Sequence, residues 1–220
     1  MACEDILGEL VRQFENNTAR RNADLNNRDG ALSDRDRFLT RFPFRVDADT
    51  IQRIRTLDGV YDFLTWLVWT LRPLGGIRAV RPGPAASAAY QQLDRFQDLV
   101  HTVVSDLPVA AKIDAWDIPY FRGDRHIAKK MVATYFPEKS LPIFATRRLE
   151  YHAKLLNIDI DRESLGKYGL HYADVTLTVG QKWQLLTEAV LARKTHNEAL
   201  GKEDNVYFMY ILERNLPQGF

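Results

Sequence analysis

Apolar residues recur at three- and four-residue steps through most of this chain, and no segment sustains the alternation of a strand. Ile6, Leu7, Leu10, Val11 and Phe14 share one side of a helix over residues 3 to 16. From Asn16 to Arg37 the pattern fades into NNTARRNADLNNRDGALSDRDR, polar and interrupted by Gly30, which predicts a loop or a weakly packed helix extension. FLTRFPF (38–44) forms an aromatic knot around Pro43, and Asp49 or Thr50 is placed to cap a short helix through Arg55. Gly59 precedes YDFLTWLVWTL (61–71), apolar on nearly every side, and a helix with so little polar surface belongs in the core.

Pro73, Gly75, Gly76, Pro82, Gly83 and Pro84 punctuate the next stretch, which also carries Arg72, Arg78 and Arg81. This reads as an ordered turn or a hinge between an N-terminal helical lobe (1–80) and a C-terminal one (85–220), unless the two run together as one domain. Ser87 is placed to cap a helix to Ser105, with Tyr90, Leu93, Phe96, Leu99, Val100, Val103 and Val104 at helical spacing before Pro108. Ile127, Ala128, Met131, Val132 and Tyr135 define another helix, stopped by Pro137, after which Leu141 to Phe144 forms an apolar corner and Thr146 is the expected N-cap of the following helix. Residues 158–172 read mostly as loop with a short helix. Thr178 caps a helix carrying Trp183, Leu185, Leu186, Ala189 and Val190, with Arg193 and Lys194 in its last turn as the helix dipole favours. A final apolar segment, Val206 to Leu212, precedes Pro217. The expected fold is mainly α: an irregular domain of about six to nine helices with little or no sheet.

Composition alters this picture little, with 45% hydrophobic and 27% charged residues in 220. Charge changes it more. The whole chain is only +1, so attraction to nucleic acid has to come from a local patch. Such a patch is present between Tyr120 and Lys154, where eight basic residues face three acidic ones. With the two central helices turning their apolar sides inward, Arg122, Arg125, Lys129 and Lys130, joined by Arg147 and Arg148 at the start of the second helix, form a cationic strip suited to phosphates. The plainer reading is a solvated helix face rich in Lys and Arg. One cysteine, Cys3, excludes an intramolecular disulfide and any Cys-type metal site, and fits a reducing cytosol. No run is long enough to cross a membrane, and Glu4 and Asp5 stand where a secretory signal needs positive charge, so a cytoplasmic protein without membrane partners is expected.

Candidate chemistry is sparse. His101, His126, His152, His171 and His196 form no HExxH spacing; His126 and His152 lie in the two central helices without a carboxylate at ligand spacing. Asp114 and Asp117 are either an acidic couple or caps of the following turn. Gly75-Gly76 lacks the Lys followed by Ser or Thr of a phosphate loop, no serine sits in a nucleophile elbow, and Cys3 is too exposed a position for acyl chemistry. No catalytic residue, cofactor or metal is expected, and the chain reads as a non-enzyme. IPYFRGDRHIAKKM (118–131) resembles a helix-hairpin-helix element through Gly123 and Ala128, marking where a phosphate would sit.

Four segments, in order, resemble the region preceding the AAA+ motor of McrB-type, GTP-dependent restriction proteins: RDRFLTRFPF (35–44), YDFLTWLVWTLRPLGGI (61–77), HIAKKMVATYFPEKSLPIFATRRLEYHAKLLNI (126–158) and YFMYILERNLP (207–217). The third is the most specific, with a lysine-bearing helix leading into a Tyr-Phe-Pro, Pro-Ile-Phe corner. In that family the N-terminal region is the variable specificity part, commonly a DNA-recognition module; GTP hydrolysis and hexamer formation belong to the motor, and cleavage to a nuclease partner. The resemblance departs around residues 78–89, where a Pro/Ala-rich stretch replaces a Gly-rich, aromatic continuation. It implies a non-catalytic, DNA-binding target-recognition domain of a restriction or phage-defence AAA+ protein, partnered by DNA and by the motor domain or a partner subunit. The competing expectation is a docking or assembly module that binds protein and not nucleic acid.

Overall fold

Among the residues that the computed structural model describes, 3–43, 48–160 and 176–217, every regular element is helical. Eleven α-helices occur there: α1 (Cys3–Asn16), α2 (Thr18–Arg41), α3 (Ala48–Arg53), α4 (Leu57–Thr65), α5 (Pro82–Tyr90), α6 (Leu93–Val104), α7 (Val109–Asp114), α8 (His126–Tyr135), α9 (Thr146–Leu155), α10 (Val179–Thr195) and α11 (Asn205–Glu213). The mainly α expectation holds, with more helices than periodicity resolves because α2 is a helix of its own, the 87–105 segment is divided and α7 spans only six residues. One buried apolar cluster runs from Leu7 to Leu212 and draws on both sides of the Pro/Gly stretch. Phe44 and residues 161–172, for which a knot and a loop were expected, lie outside the described residues.

The polar stretch after residue 16 is the longest helix, α2, with 24 residues. Its buried residues, Asp24, Ala31 and Phe38, step by seven, and partly buried Leu25, Leu32 and Leu39 follow at the same step. Seven residues are close to two turns, so the two sets form one narrow seam against the body of the molecule. Polar contacts fix the seam: Arg214, just past α11, donates to Asp24 through Nε at 2.7 Å, and Arg35 Nε donates to the Thr134 carbonyl at 2.8 Å.

α4 begins against α3 at Gly59, where a Cβ would lie 1.9 Å from the Arg53 carbonyl oxygen. The helix then widens into a π-turn, Trp66–Thr70, in which Leu71 N bonds back to Trp66 O at 3.0 Å. Phe63, Leu64, Leu67, Val68 and Leu71 are buried as expected, but Tyr61 and Trp69 are 42% and 57% exposed, so this helix is not enclosed on all sides. α3 starts at Ala48, so Asp49 and Thr50 both lie inside it and not ahead of it. The Pro/Ala-rich stretch is α5, with Pro82 in its first turn and Ala85, Ala86 and Ala89 buried where it packs on α4. The backbone turns at Gln92 (φ −130°, ψ 51°), so the single helix expected over 87–105 is two, and Ser87 lies inside α5.

α8 occupies the centre: every residue from Ile127 to Tyr135 is buried, and it packs on α6, α7 and the π-turn. Two lysines are included. Lys130, 1% exposed, donates to the carbonyls of Leu71, Leu74 and Gly75 at 2.5, 2.8 and 2.7 Å. Those carbonyls close the π-turn and a 3-10 turn (Arg72–Leu74); Leu71 O also takes Leu74 N at 3.1 Å, and Leu74 O and Gly75 O stand at the helical end, where acceptors go unfilled. Gly75 (φ +91°) makes the approach possible, since a Cβ there would meet Pro142 O at 2.2 Å. After Pro137 the corner, Leu141 to Phe144, is buried. Its carbonyls are met by remote side chains: Asn205 Nδ2 donates to Pro137 O (2.9 Å) and Ser140 O (3.1 Å), and Trp183 Nε1 to Ile143 O (2.8 Å). α10 carries the Thr178–Gln181 capping box.

Replacing Lys130 with Met keeps the stem but leaves the Leu74 and Gly75 carbonyls without a donor, while Leu71 O retains Leu74 N at 3.1 Å. Urea unfolding at neutral pH is expected to show a loss of about 2–5 kcal/mol, since each buried unsatisfied group costs on the order of 1–3 kcal/mol. A loss within 0.5 kcal/mol, the order typical of surface substitutions, would contradict the assignment.

Candidate functional site at the α8 corner

The turn before α8 uses two left-handed residues, Gly123 (φ +78°) and Arg125 (φ +52°), and between them it aims the Asp124 carboxylate inward. Asp124 accepts from Thr146 N (2.7 Å), His126 Nε2 (3.1 Å), and the Thr146 hydroxyl and Lys129 ammonium in short contacts. Thr146 is the first residue of α9, so Asp124 caps that helix from across the corner and Ala145 holds the N-cap position instead of Thr146. Lys129, whose side chain is wholly buried, also donates to Phe144 O (3.1 Å) and Thr146 Oγ1 (2.8 Å). Burial lowers the Lys129 pKa, and Asp124 opposes that shift. Burial pulls the Asp124 carboxyl up, but His126, Lys129 and Thr146 together hold it well below the usual carboxylate range.

This geometry corrects the cationic strip. Lys129 and Lys130 cannot present charge to a phosphate, because both ammonium groups are spent on acceptors inside the protein. The apolar residues of α8 do face inward, but so does its opposite side, which packs under the π-turn and the corner. Arg125 is half-buried, and its Nε and Nη1 have no partner. Arg148 is half-buried and pairs with Glu213 at 2.8 Å, while Arg122 and Arg147 are exposed. The six residues therefore do not share one open surface.

Another grouping was not anticipated. A hollow of about 170 Å³ is lined by Gly76, Arg78, Ala79, His126, Arg148 and Glu213, among others. A second, of about 190 Å³, is lined by Ala79, Tyr120, Arg122, His126 and Ile127, among others, so Ala79 and His126 belong to both. Arg78 and Arg122 are exposed at these hollows. Residues 76–79 donate no backbone hydrogen bond to any described residue. Arg78 was visible in the Pro/Gly stretch, but nothing in its spacing linked it to Arg122 or His126.

The other candidates separate. Asp114 accepts from Gly180 N (2.8 Å) and from the Thr178 hydroxyl, capping α10, whereas Asp117 forms a two-point pair with Arg95 at 2.9 Å. They are not an acidic couple. His126 lies with Asp124, and buried His152 lies 3.4 Å from Glu213. Among the described residues no group of three or more His, Cys, Asp or Glu side chains is placed to hold a metal ion, and no helix is long and apolar enough to cross a membrane.

Asp124→Asn should destabilise the fold by about 2–4 kcal/mol at pH 7, because it leaves the Lys129 ammonium buried without its counter-charge. In the parent, Asp124 titrates lower folded than unfolded, so its contribution is present above about pH 4 and fades as pH falls further. Urea midpoints between pH 2 and 7 should show the variant with a shallower acid slope; equal slopes would exclude Asp124 as a source of acid sensitivity. Separately, Arg125→Gly should raise stability by about 1 kcal/mol in the same assay, by removing an L-residue from the left-handed region. No family model matches this chain, and no curated protein or solved structure matches it either.

Proposed function

We propose that this chain is a non-catalytic DNA-binding domain that takes backbone phosphate at the paired hollows, in the setting the family resemblance implies: ahead of the AAA+ motor of a restriction or phage-defence protein. The observation that carries the reading is the coincidence of Arg78, Arg122, Arg148 and His126 around two adjoining hollows, beside a segment with unused amides. The Gly75 carbonyl points inward to the Lys130 ammonium. In a trans peptide the N–H opposes the C=O, so the Gly76 N–H points outward, and its donor strength rises with the charge on the carbonyl. Outward amides joined by arginines make a phosphate cradle. Arg122 and Arg148 remain from the expected strip, and Arg78 takes the place of the two buried lysines.

A second reading has its own observation. Trp69 is the most exposed large apolar side chain among the described residues, and Leu57 and Tyr61 precede it on α4, both 42% exposed. An aromatic residue turned outward by a π-turn is a usual anchor for a protein partner, which favours docking to the motor.

Fluorescence anisotropy with a labelled duplex separates the readings. With about three phosphate contacts, affinity should fall about 40-fold between about 50 and 200 mM salt. The double variant Arg78→Glu, Arg122→Glu should lower the logarithmic salt slope by about two units, and Trp69→Ala should leave it unchanged. Affinity in the parent that does not depend on salt, or a charge-reversed variant that matches it, would remove the DNA reading.

A further inference from the structure

The largest cavity described, about 410 Å³, lies away from the α8 hollows, and its size falls within the range of small-molecule sites, about 300–1,000 Å³. It opens between α2, the end of α8 with its corner, and the α10–α11 connection. Leu32, Leu74, Ala133, Pro142 and Val206 supply apolar wall.

Two cations line it, Lys194 and Arg35, and neither has a counter-ion within ion-pair distance among the described residues. Lys194 lies on the inward stripe of α10 with Trp183, Leu186 and Val190, is 8% exposed, and makes no side-chain hydrogen bond or ion pair with any described residue. Burial lowers its pKa, against the field of Asp204 and Glu203. The sequence placed it in the last turn as a partner of the helix dipole, yet its side chain runs inward. Arg35 spends Nε on Thr134 O (2.8 Å) and has no carboxylate partner, which leaves the Nη edge of its guanidinium. Ser140, wholly buried in the same wall, has a hydroxyl without a partner. An ammonium partly withdrawn from water without a counter-ion, and a buried hydroxyl without a partner, cost stability unless something else supplies the match.

The carboxylates at the rim do not supply it. Asp204 caps α11 through Tyr207 N (2.7 Å) and lies 3.5 Å from Arg28; Glu138 is exposed; and Glu203, half-buried, makes no ion pair with either cation. Their charge disfavours polyanions, and the two cations on the same wall suit an anion of single charge.

We propose that this cavity is a binding site for a small organic monoanion, a carboxylate or sulfonate with a compact apolar body. Lys194 and the free edge of Arg35 hold the anionic group, and Leu74, Ala133, Pro142 and Val206 cover the body. The site is independent of the DNA reading.

The test uses the full chain and two dyes: anilinonaphthalene sulfonate, which carries one anionic group on an aromatic body, and phenylnaphthylamine, its neutral counterpart. The sulfonate should bind saturably, one per chain, and more tightly than the neutral dye. Lys194→Met should weaken the sulfonate by about tenfold or more, as expected for loss of a charge-assisted hydrogen bond, and leave the neutral dye unchanged. Its melting temperature should match or exceed the parent's, because a partly desolvated charge without a counter-ion has been removed. Val206→Trp, which fills the cavity, should abolish both. Should Lys194→Met fail to fold, Arg35→Gln reads the same selective loss. No saturable sulfonate binding in the parent, equal affinity for the two dyes, or a folded cation variant that binds the sulfonate like the parent would each overturn the proposal.

Discussion

Two ammonium groups on consecutive residues of a fully buried helix constrain the rest of this structure. Lys129 and Lys130 lie about 100° apart around α8, as neighbours on any α-helix do, so their acceptors must come from two directions. The protein meets this with Asp124, Phe144 O and Thr146 on one side and the carbonyls of Leu71, Leu74 and Gly75 on the other. The two solutions differ electrostatically. Lys129 has a carboxylate and is neutralised locally. Lys130 has no carboxylate, only carbonyl dipoles and the Phe144 ring face at 5.3 Å, and burial pushes its pKa well down. Three short contacts to partly negative oxygens at the end of a helical segment are the arrangement that suits a cation, which is why burial there is tolerated at all.

The same economy recurs at helix starts. α9 and α10 each begin under an aspartate from a distant turn, Asp124 and Asp114, each of which takes one backbone N–H and one threonine hydroxyl. A cap supplied across the chain fixes the position of a helix as well as its end. Gly180 shows how close the fit is at α10: a Cβ there would come within 2.3 Å of Ala110 O. Together the two aspartates, Lys129 and Lys130 tie α7, α8, α9, α10 and the π-turn into one unit. The α1–α2 pair is then attached through Arg214 with Asp24 and through the Phe14–Tyr207 ring contact, 5.5 Å between centroids.

The sequence carried the class of fold, the Thr178 cap, the Pro137 stop and the inward faces of α1 and α8, because each rests on local spacing. It obscured α2, since a seam that buries one residue in seven, with a carboxylate at one step, carries almost no hydrophobic period. Leu25, Leu32 and Leu39 were the readable trace. It misled at Lys129 and Lys130, which occupy the polar side of an amphipathic pattern and so read as solvated. The contrary signal was that Ala133 and Thr134 share that side, with no Glu or Gln to solvate it. Trp69 failed for the opposite reason: a uniformly apolar run gives no phase, and a π-turn shifts whatever phase there is. Caps and cavity walls from remote segments leave no mark on local spacing, so Asp124, Arg78 and Lys194 acquire their roles only in three dimensions.

The buried lysine and the exposed hollow are two faces of one peptide. Drawing the Gly75 carbonyl inward to Lys130 commits the next N–H to the outside, and the stretch from Gly76 to Ala79 then runs along the hollows without taking an acceptor from any described residue. A carbonyl at that position with no cation to meet would turn to find another donor, and the amides after it would turn too. The interaction that holds the centre together therefore also sets which backbone groups the surface offers. Of the local surplus of basic residues, Lys129 and Lys130 are spent inside, and the peptide that Lys130 orients is displayed outside.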